Sequence, residues 1–332
     1  MKYFSHKLLD SLYLIFPNKC DKNVILYINV FCSNISTVTV MLSTLSFLSV
    51  LISATSSSLL SRDVSTADCN IGGGEAVGEI SDPIHEASGL AVSRKNPGIL
   101  FTQPDSGHGA HVWAVGQGGS IKAEIVLEEC TNHDWEDVAV TGTHVYVADT
   151  GNNGYNRNNL RVLRFPEPNI DQNSYNQIRI KRSDIEYLDF TYPDESRDCE
   201  GVAVDPDTND IYFFSKHWHN HQSEVYRYPW SLRQEGKSMK LEYITTLPLL
   251  TVTGADISPS GNTLAITNLW EGFSYTKPDG MSWKDYLKDN AYSYCSLKLQ
   301  AMQQIEAIAV TEEGYYSTSE CSKCPIWYYR NN

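Results

Sequence analysis

The chain of 332 residues lacks the short motifs by which many enzyme families are recognised. It has no GxSxG nucleophile elbow, no HExxH helix, no P-loop and no GxGxxG fingerprint. The usual sequence support for serine hydrolases, zinc peptidases and nucleotide-dependent enzymes is therefore missing. A hydrolase that uses a bound cation and a nearby base needs no contiguous motif, so that chemistry stays open.

Positive charge is also scarce, since 26 Lys and Arg face 40 Asp and Glu, giving a formal net charge of −14. Nucleic acids and anionic membrane surfaces are bound through clustered Lys and Arg, so neither is expected as the main partner. Cations and basic proteins remain compatible with this acidic balance.

Charge of either sign is absent from Asn23 to Ser61, a stretch that includes "MLSTLSFLSVLISA". We predict that residues 1–62 are a targeting region and that residues 63–332 form the folded domain. One alternative is a signal peptide that begins at Met41 and is cleaved, which gives a secreted protein. The other is a retained signal anchor with the preceding lysines in the cytosol, so that the protein contacts the membrane only there. Both alternatives place the domain outside the cytosol.

Cysteine usage agrees with an oxidising compartment, because an even number of cysteines follows the apolar stretch. The segment "CSKC" at 321–324 has CxxC spacing, but it has neither a βαβ context for a thioredoxin-like site nor a second CxxC for zinc. We predict a structural disulfide there. The six cysteines are Cys69, Cys130, Cys199, Cys295, Cys321 and Cys324.

One short phrase recurs along the domain. It reads "SGLAVS" at 88–93, "EDVAVT" at 136–141, "EGVAVD" at 200–205, "TGADIS" at 253–258 and "EAIAVT" at 306–311. A turn and a second apolar run follow each copy, as in "VYVAD" and "IYFFSK". Alternating apolar residues on both sides of a turn are typical of a β-hairpin.

The copies are spaced by 48, 64, 53 and 53 residues, which fits four-stranded propeller blades of about 40–50 residues with loop insertions. We predict an all-β chain, a β-propeller of five or six four-stranded blades. The unassigned stretches "GGGEAVGEI" and "PIWYY" leave room for a sixth blade. A β-sandwich is the alternative, but it gives no reason for the phrase to recur at this interval.

Several of these phrases, among them "EASGLAVSRKNPGILFTQPDSG", "CEGVAVDPDTNDIYFFSK" and "VTGADISPSGNTLAIT", resemble a largely uncharacterised family of secreted β-propeller-like proteins over about residues 79–321. The resemblance implies a propeller of the six-bladed class that includes calcium-dependent lactonases, NHL-repeat and TolB-like modules. It implies no established reaction. The family pattern has His-Asn-Asp where this chain has Gln103-Pro104-Asp105, and Arg where Asn268 stands.

The innermost strands of a propeller run along its central channel, so equivalent ends of the hairpins converge on one opening. Many acidic residues stand at these ends, and carboxylates around one axis repel each other unless a cation compensates them. We predict an acidic opening that binds Ca²⁺ through oxygen ligands. The predicted ligands are Glu86, Asp105, Glu136, Asp149, Glu200, Asn268, Glu306 and Glu320.

Two other interpretations of these polar residues stay open. The acids could instead accept hydrogen bonds from strand amides and pair with Lys216, Arg94 and Arg157, which would join neighbouring blades. The segment "KHWHNH" at 216–221 also offers a second metal site of transition-metal type. Its three alternating imidazoles belong to His217, His219 and His221.

Two functions follow from the predicted opening. A binding module would recognise an extracellular protein or a small-molecule ligand, with Ca²⁺ in a structural role. A Ca²⁺-dependent ester or lactone hydrolase would use the same ion as a Lewis acid beside a base. We favour the binding module, because no nucleophile or base stands out in the sequence above the ring of acids.

Overall fold

The computed structural model describes residues 67–80, 82–218, 222–300, 304–321 and 323–332 in full. Nearer the N-terminus it describes the backbone of strands β1 (Lys2–Phe4), β2 (Ser11–Phe16), β3 (Val24–Asn29), β4 (Val38–Thr39) and β5 (Leu51–Ile52). The chain divides into two units, Met1–Asp63 and Val64–Asn332. The predicted targeting region therefore lies outside the residues described in full. Among the described residues, none of the helices is both long and apolar enough to cross a membrane.

The second unit is an all-β propeller of five blades, which confirms the predicted fold class. Its first strand, β6 (Glu75–Ile80), belongs to the last blade. Blade 1 contains β7 (Ala87–Val92), β8 (Ile99–Pro104), β9 (His111–Gly116) and β10 (Ile121–Leu127). Blade 2 contains β11 (Trp135–Thr141), β12 (His144–Asp149) and β13 (Arg161–Pro166). After β14 (Asn176–Ile180), which pairs parallel with β10, blade 2 is completed by β15 (Glu186–Thr191).

The remaining three blades follow in chain order. Blade 3 contains β16 (Cys199–Val204), β17 (Ile211–Ser215) and β18 (Ser223–Tyr228). After β19 (Met239–Lys240), which pairs with β15, blade 3 is completed by β20 (Glu242–Leu247). Blade 4 contains β21 (Val252–Ile257), β22 (Thr263–Asn268), β23 (Gly272–Thr276) and β24 (Cys295–Leu297), with helix α1 (Trp283–Asn290) before β24. Blade 5 contains β25 (Ile305–Val310), β26 (Gly314–Ser319) and β27 (Cys324–Arg330). Two 3₁₀ turns, Arg182–Asp184 and Trp230–Leu232, complete the elements.

The ring closes where strands from the two ends of the domain meet. Strand β6 pairs antiparallel with β27, so the first strand of the domain completes the last blade. These two strands come from "GGGEAVGEI" and "PIWYY", the stretches that had left room for a sixth blade. The described part of the chain thus has five blades, and membership of the six-bladed class is not confirmed.

The described residues contain two disulfides. Cys69 precedes β6 and is bonded to Cys295 in blade 4, and Cys321 is bonded to Cys324 at the start of β27. The second bond confirms the predicted disulfide in "CSKC". Cys130 and Cys199 are free thiols. The disulfides indicate an oxidising compartment.

The core lies between neighbouring blades. Phe101 and Val112 of blade 1 pack in one cluster with Val138 and Val147 of blade 2, and the indole of Trp135 is fully buried among them. The innermost strands are buried along their whole length, as in Trp135–Thr141 and Cys199–Val204, so both their apolar and their polar residues are enclosed. The innermost strands are consequently held at fixed positions around the axis.

Candidate functional site

The innermost strand of every blade contains a β-bulge at the same place. The register shifts occur between residues 87 and 89, 135 and 137, 199 and 201, 252 and 254, and 305 and 307. A bulge leaves one extra residue unpaired and re-aims its side chain. We call these five extra residues the bulge ring: Ser88, Glu136, Glu200, Thr253 and Glu306, all of which are buried.

The residues two positions before the bulge ring form a second set, which we call the rim. It consists of Glu86, Asp134, Asp198, Thr251 and Gln304. Because equivalent positions in the blades approach one axis, the rim and the bulge ring together place acidic side chains from four blades at one end of the propeller. Asp105, which follows β8, joins them.

Two groups of acids in this region lie close enough together to hold a cation. The ligand atoms of Asp105, Asp134 and Glu136 lie within 4.8 Å of one another, and so do those of Glu136, Asp198 and Glu200. Ca²⁺–oxygen distances of about 2.3–2.6 Å place opposite ligands about 5 Å apart, so either spacing is compatible. The acidic cluster could therefore hold a metal ion, and its oxygen donors suit a hard cation.

Burial and mutual repulsion raise the pKa of these carboxyl groups. Burial is the main cause for Glu136, whose pKa lies well above its usual range, and the neighbouring charges of Glu200 and Asp105 raise it further. Burial is also the largest influence on Asp134 and Asp198, whose pKa values are raised. A cation bound here would offset both the repulsion and the lost hydration.

The two groups differ in how their charge is compensated. Lys216 Nζ forms an ion pair with Glu200 Oε2, so the second group already contains a positive charge. Within the described part of the chain, the carboxylate of Glu136 forms neither a hydrogen bond nor an ion pair. Asp105 and Asp134 are only half-buried, so the first group is also open to solvent.

The other predicted ligands are distributed around this centre. Glu86 and Glu320 line a cleft of about 470 Å³ together with His108 and Cys321. Burial, and after it the charge of Glu86, raises the pKa of Asp105. Burial, followed by the charges of Asp105 and Glu86, raises the pKa of Glu320. The pKa of Glu306 is raised to about 7, mainly by burial. The three glutamates therefore border the acidic cluster and do not belong to its two groups of three.

Two predicted ligands are engaged elsewhere. Asp149 accepts hydrogen bonds from Arg157 Nη2 at 2.7 Å and from the backbone N–H of Asp134 at 3.2 Å. Asn268 Oδ1 accepts the backbone N–H groups of Trp270 and Glu271, at 2.9 and 2.8 Å. These contacts match the structural interpretation of polar residues at strand ends.

Of the three histidines in the predicted transition-metal site, the structure describes only His217. His217 Nε2 lies 3.3 Å from Glu224 Oε2, and Arg197 shares that carboxylate. His219 and His221 lie outside the described residues. The transition-metal site stays a prediction.

Sequence reasoning omitted Asp134 and Asp198 from the ligand set. Both precede a bulge-ring glutamate by two residues, in "DWE" and "DCE", and the repeated Asp-x-Glu pattern is the signal that could have found them. It also missed Gln103. This side chain is fully buried, and among the described residues neither its Oε1 nor its Nε2 has a hydrogen-bond partner.

The Gln103 amide lies against the inner strands. Its Oε1 and Nε2 are 2.7 and 2.8 Å from the point where a side chain at Gly89 would begin, and the backbone nitrogen of Val138 is 2.5 Å from that point. Gln103 thus packs beside the strand that carries Glu136. A buried amide without partners is unfavourable, so the Gln103 amide has the polar groups to bind a water molecule.

Comparison with known proteins reveals fold-level similarity only. No protein-family model matches the chain, and no curated protein matches it. The PQQ-bound aldose sugar dehydrogenase from Streptomyces coelicolor is similar in structure, with 10% identity, 80% of this chain and 99% of that chain covered, and a TM-score of 0.43. Hydrazine synthase from Kuenenia stuttgartiensis matches with 11% identity, 74% and 96% coverage, and a TM-score of 0.42.

Proposed function

We propose that the protein is a secreted binding module whose acidic opening holds a Ca²⁺ ion at Asp105, Asp134 and Glu136. The observation that carries the proposal is the carboxylate of Glu136. It is buried and belongs to both groups of acids, and it has no hydrogen-bond or ion-pair partner within the described part of the chain. A buried carboxylate is stable only when it is protonated or compensated, and a cation supplies the compensation.

The donor set favours a hard cation such as Ca²⁺ over zinc and copper. All ligands are carboxylate oxygens, which hard cations prefer, whereas zinc and copper prefer nitrogen and sulfur. Three carboxylates with water molecules reach the six to eight ligands that Ca²⁺ takes, and the half-buried Asp105 and Asp134 leave room for that water.

The same end of the propeller carries exposed aromatic side chains. Tyr155, Trp218 and Trp270 are 50%, 49% and 46% exposed, and each follows the second strand of its blade. Large aromatics dominate the binding energy of protein interfaces. Their position beside the acidic cluster supports a role in recognising an extracellular protein or a small-molecule ligand.

Secretion rests on two observations that agree. The disulfides Cys69–Cys295 and Cys321–Cys324 favour an oxidising compartment. The uncharged stretch before the domain has the composition of a signal peptide or a signal anchor. If the N-terminal segment is retained as an anchor, the propeller still lies outside the cytosol.

The decisive test is the variant Glu136→Gln, which keeps the shape of the side chain and removes its charge. We expect Ca²⁺ affinity, measured by calorimetry, to fall at least tenfold. Glu313→Gln is the matched control, because Glu313 lies in the exposed turn between β25 and β26. Equal affinity of the wild type and Glu136→Gln would show that Glu136 is not a ligand.

One contact favours hydrolysis as a second candidate function. His133 Nδ1 lies 3.1 Å from Asp149 Oδ2, and His133 directly precedes Asp134. When the Nδ1–H of a neutral imidazole donates to a carboxylate, its Nε2 is unprotonated and can accept a proton. General-base catalysis by histidine uses this arrangement. Ca²⁺, when bound, would polarise an ester or lactone carbonyl.

The hydrolase candidate is tested with a panel of simple esters and lactones. It predicts Ca²⁺-dependent turnover that His133→Ala lowers at least a hundredfold while Ca²⁺ affinity stays unchanged. His85→Ala is the control, since His85 lies near the same opening and pairs with the exposed Asp82. Absence of turnover by the wild type across the panel would contradict the hydrolase candidate, and the binding module would be the remaining proposal.

A further inference from the structure

Lys216 is the one basic residue at its position in the repeat. It directly follows β17, and the equivalent residues after the second strands of the other blades are Asp105, Thr150, Leu269 and Glu320. Its backbone N–H donates to the carbonyl of Asp198 at 2.9 Å, which fixes the chain beside the rim. The side chain is buried.

The ammonium group of Lys216 faces the bulge ring. Its Nζ forms an ion pair and a hydrogen bond with Glu200 Oε2, and it also interacts electrostatically with Glu306 and Glu136. The ammonium therefore contacts Glu200, and its positive charge acts at longer range on the other two carboxylates of the bulge ring. Glu200 and Glu136 also form the second group of acids with cation-site spacing.

The ammonium group of Lys216 also contacts an aromatic side chain. Lys216 Nζ is 5.4 Å from the centroid of the Trp218 ring, within the range of a cation–π interaction. Trp218 is half-exposed. The flexible lysine side chain thus has one favourable contact among the carboxylates and another at an aromatic ring near the surface.

We propose that Lys216 is a tethered counter-ion that sets the cation affinity of the opening, because its ammonium, held by Glu200, opposes a divalent ion at the neighbouring carboxylate of Glu136. The inference rests on the proposed cation site and adds the residue that determines its affinity. A bound ion repels the ammonium, and the ring of Trp218 offers a place for it. Without Lys216, the opening keeps the same ligands and loses the competing charge of this ammonium.

The test compares Ca²⁺ binding by the wild type, Lys216→Met and Lys216→Arg in calorimetric titrations. Met keeps the length of the side chain without its charge, and Arg keeps the charge. Lys277→Met is the matched control, because Lys277 is also buried and lies 5.6 Å from an aromatic centroid, that of Trp283, with Asn262 as its partner. We expect Lys216→Met to bind Ca²⁺ at least tenfold more tightly, while the other two variants stay within threefold of the wild type.

Each outcome separates the inference from the proposed function. Binding by the wild type with equal or weaker binding by Lys216→Met would overturn the inference and leave the cation site in place. Binding by Lys216→Met alone would support the inference and show that the native opening is filled by its own lysine. No binding by either protein would contradict both. If Lys216→Met does not fold, Lys216→Gln replaces it with the same expected direction.

Discussion

The carboxylate of Asp137 accepts a hydrogen bond from the backbone N–H of Ala255 at 3.1 Å, although the two residues belong to blades 2 and 4. The same carboxylate accepts the N–H groups of Val138 and Val202, at 2.8 and 2.9 Å. One buried side chain therefore joins the innermost strands of three blades at the axis. Its neighbour Glu136 belongs to both groups of acids and is a ligand of the proposed cation site. Adjacent residues of one phrase therefore have a structural role and a proposed functional role.

Removal of the Asp137 carboxylate should destabilise the whole propeller. In Asp137→Ala, three buried N–H groups lose their acceptor, at about 1–3 kcal/mol each, so we expect a loss of roughly 3–9 kcal/mol in the free energy of unfolding. Urea denaturation measures this loss. Asp289→Ala on the exposed face of α1 is the control and should change stability little. A loss below about 1 kcal/mol for Asp137→Ala would show that the axis does not depend on this residue.

Gly89 is predicted to tolerate no side chain. A Cβ there would lie 2.5 Å from the backbone nitrogen of Val138 and within 3 Å of both amide atoms of Gln103. Gly89→Ala should therefore lower the free energy of unfolding by about 2 kcal/mol or more, because blades 1 and 2 would have to separate. Gly142→Ala, in an open hairpin turn with no atom within 4 Å, should stay within about 0.5 kcal/mol of the wild type. Equal changes in the free energy of unfolding for the two variants would contradict the close approach of Gly89 to Val138 and Gln103.

Asp256 gives the propeller a defined pH dependence. Burial is the main cause that raises its pKa to about 6, against the lowering by Arg94 and by the N–H groups of Val310 and Ile257. A carboxyl whose pKa is higher in the folded state stabilises the fold fully below its unfolded pKa, and that contribution disappears as the pH rises through about 6. Relative to Asp256→Asn, the wild type should lose about 1 kcal/mol of stability between pH 5 and pH 7.5.

The Asp256 measurement is the free energy of unfolding of both proteins at the two pH values. For each protein, the free energy of unfolding at pH 7.5 is subtracted from that at pH 5, and the two differences are compared. This removes the pH-independent effect of Asn, which changes a hydrogen bond to one of the two N–H groups. Parallel pH profiles for the wild type and Asp256→Asn would contradict the raised pKa.

The two disulfides should differ in their effect on stability. Cys69 and Cys295 are 226 residues apart in sequence, and Cys321 and Cys324 are three apart. The entropy of loop closure predicts a loss of about 5 kcal/mol when both cysteines of the long loop are replaced by Ala, and less than about 2 kcal/mol for the short loop. Urea denaturation of the two double variants tests this order. Equal losses would mean that the bonds act mainly through folded-state contacts.

The fold was largely predictable because the inner hairpin of each blade carries the same phrase. All five predicted hairpins are present, from β7–β8 to β25–β26. The outer strands carry no such phrase, and the partners Glu75 and Tyr328 of the closing pair stand at opposite ends of the domain. Sequence periodicity therefore identified the blades but could not decide between five and six.

The candidate site was predictable in position and only partly in detail. Alignment of the phrases placed Glu136 and Glu200 at one opening, and the structure brings them into one group. The bulge that re-aims them has no signature in an alternating pattern. Asp149 stands at an equivalent strand end, but its side chain pairs with Arg157, a residue eight positions further on, and spacing alone does not reveal that contact.

Calorimetric titration of Ca²⁺ into protein treated with EDTA, with thermal unfolding recorded alongside, tests the central claim most directly. The cation site at Asp105, Asp134 and Glu136 predicts saturable binding of one ion and a higher unfolding temperature, because a ligand that binds only the folded state stabilises it. The absence of binding heat together with an unchanged unfolding temperature at millimolar Ca²⁺ would contradict it, and the acids would then be a purely structural part of the propeller axis.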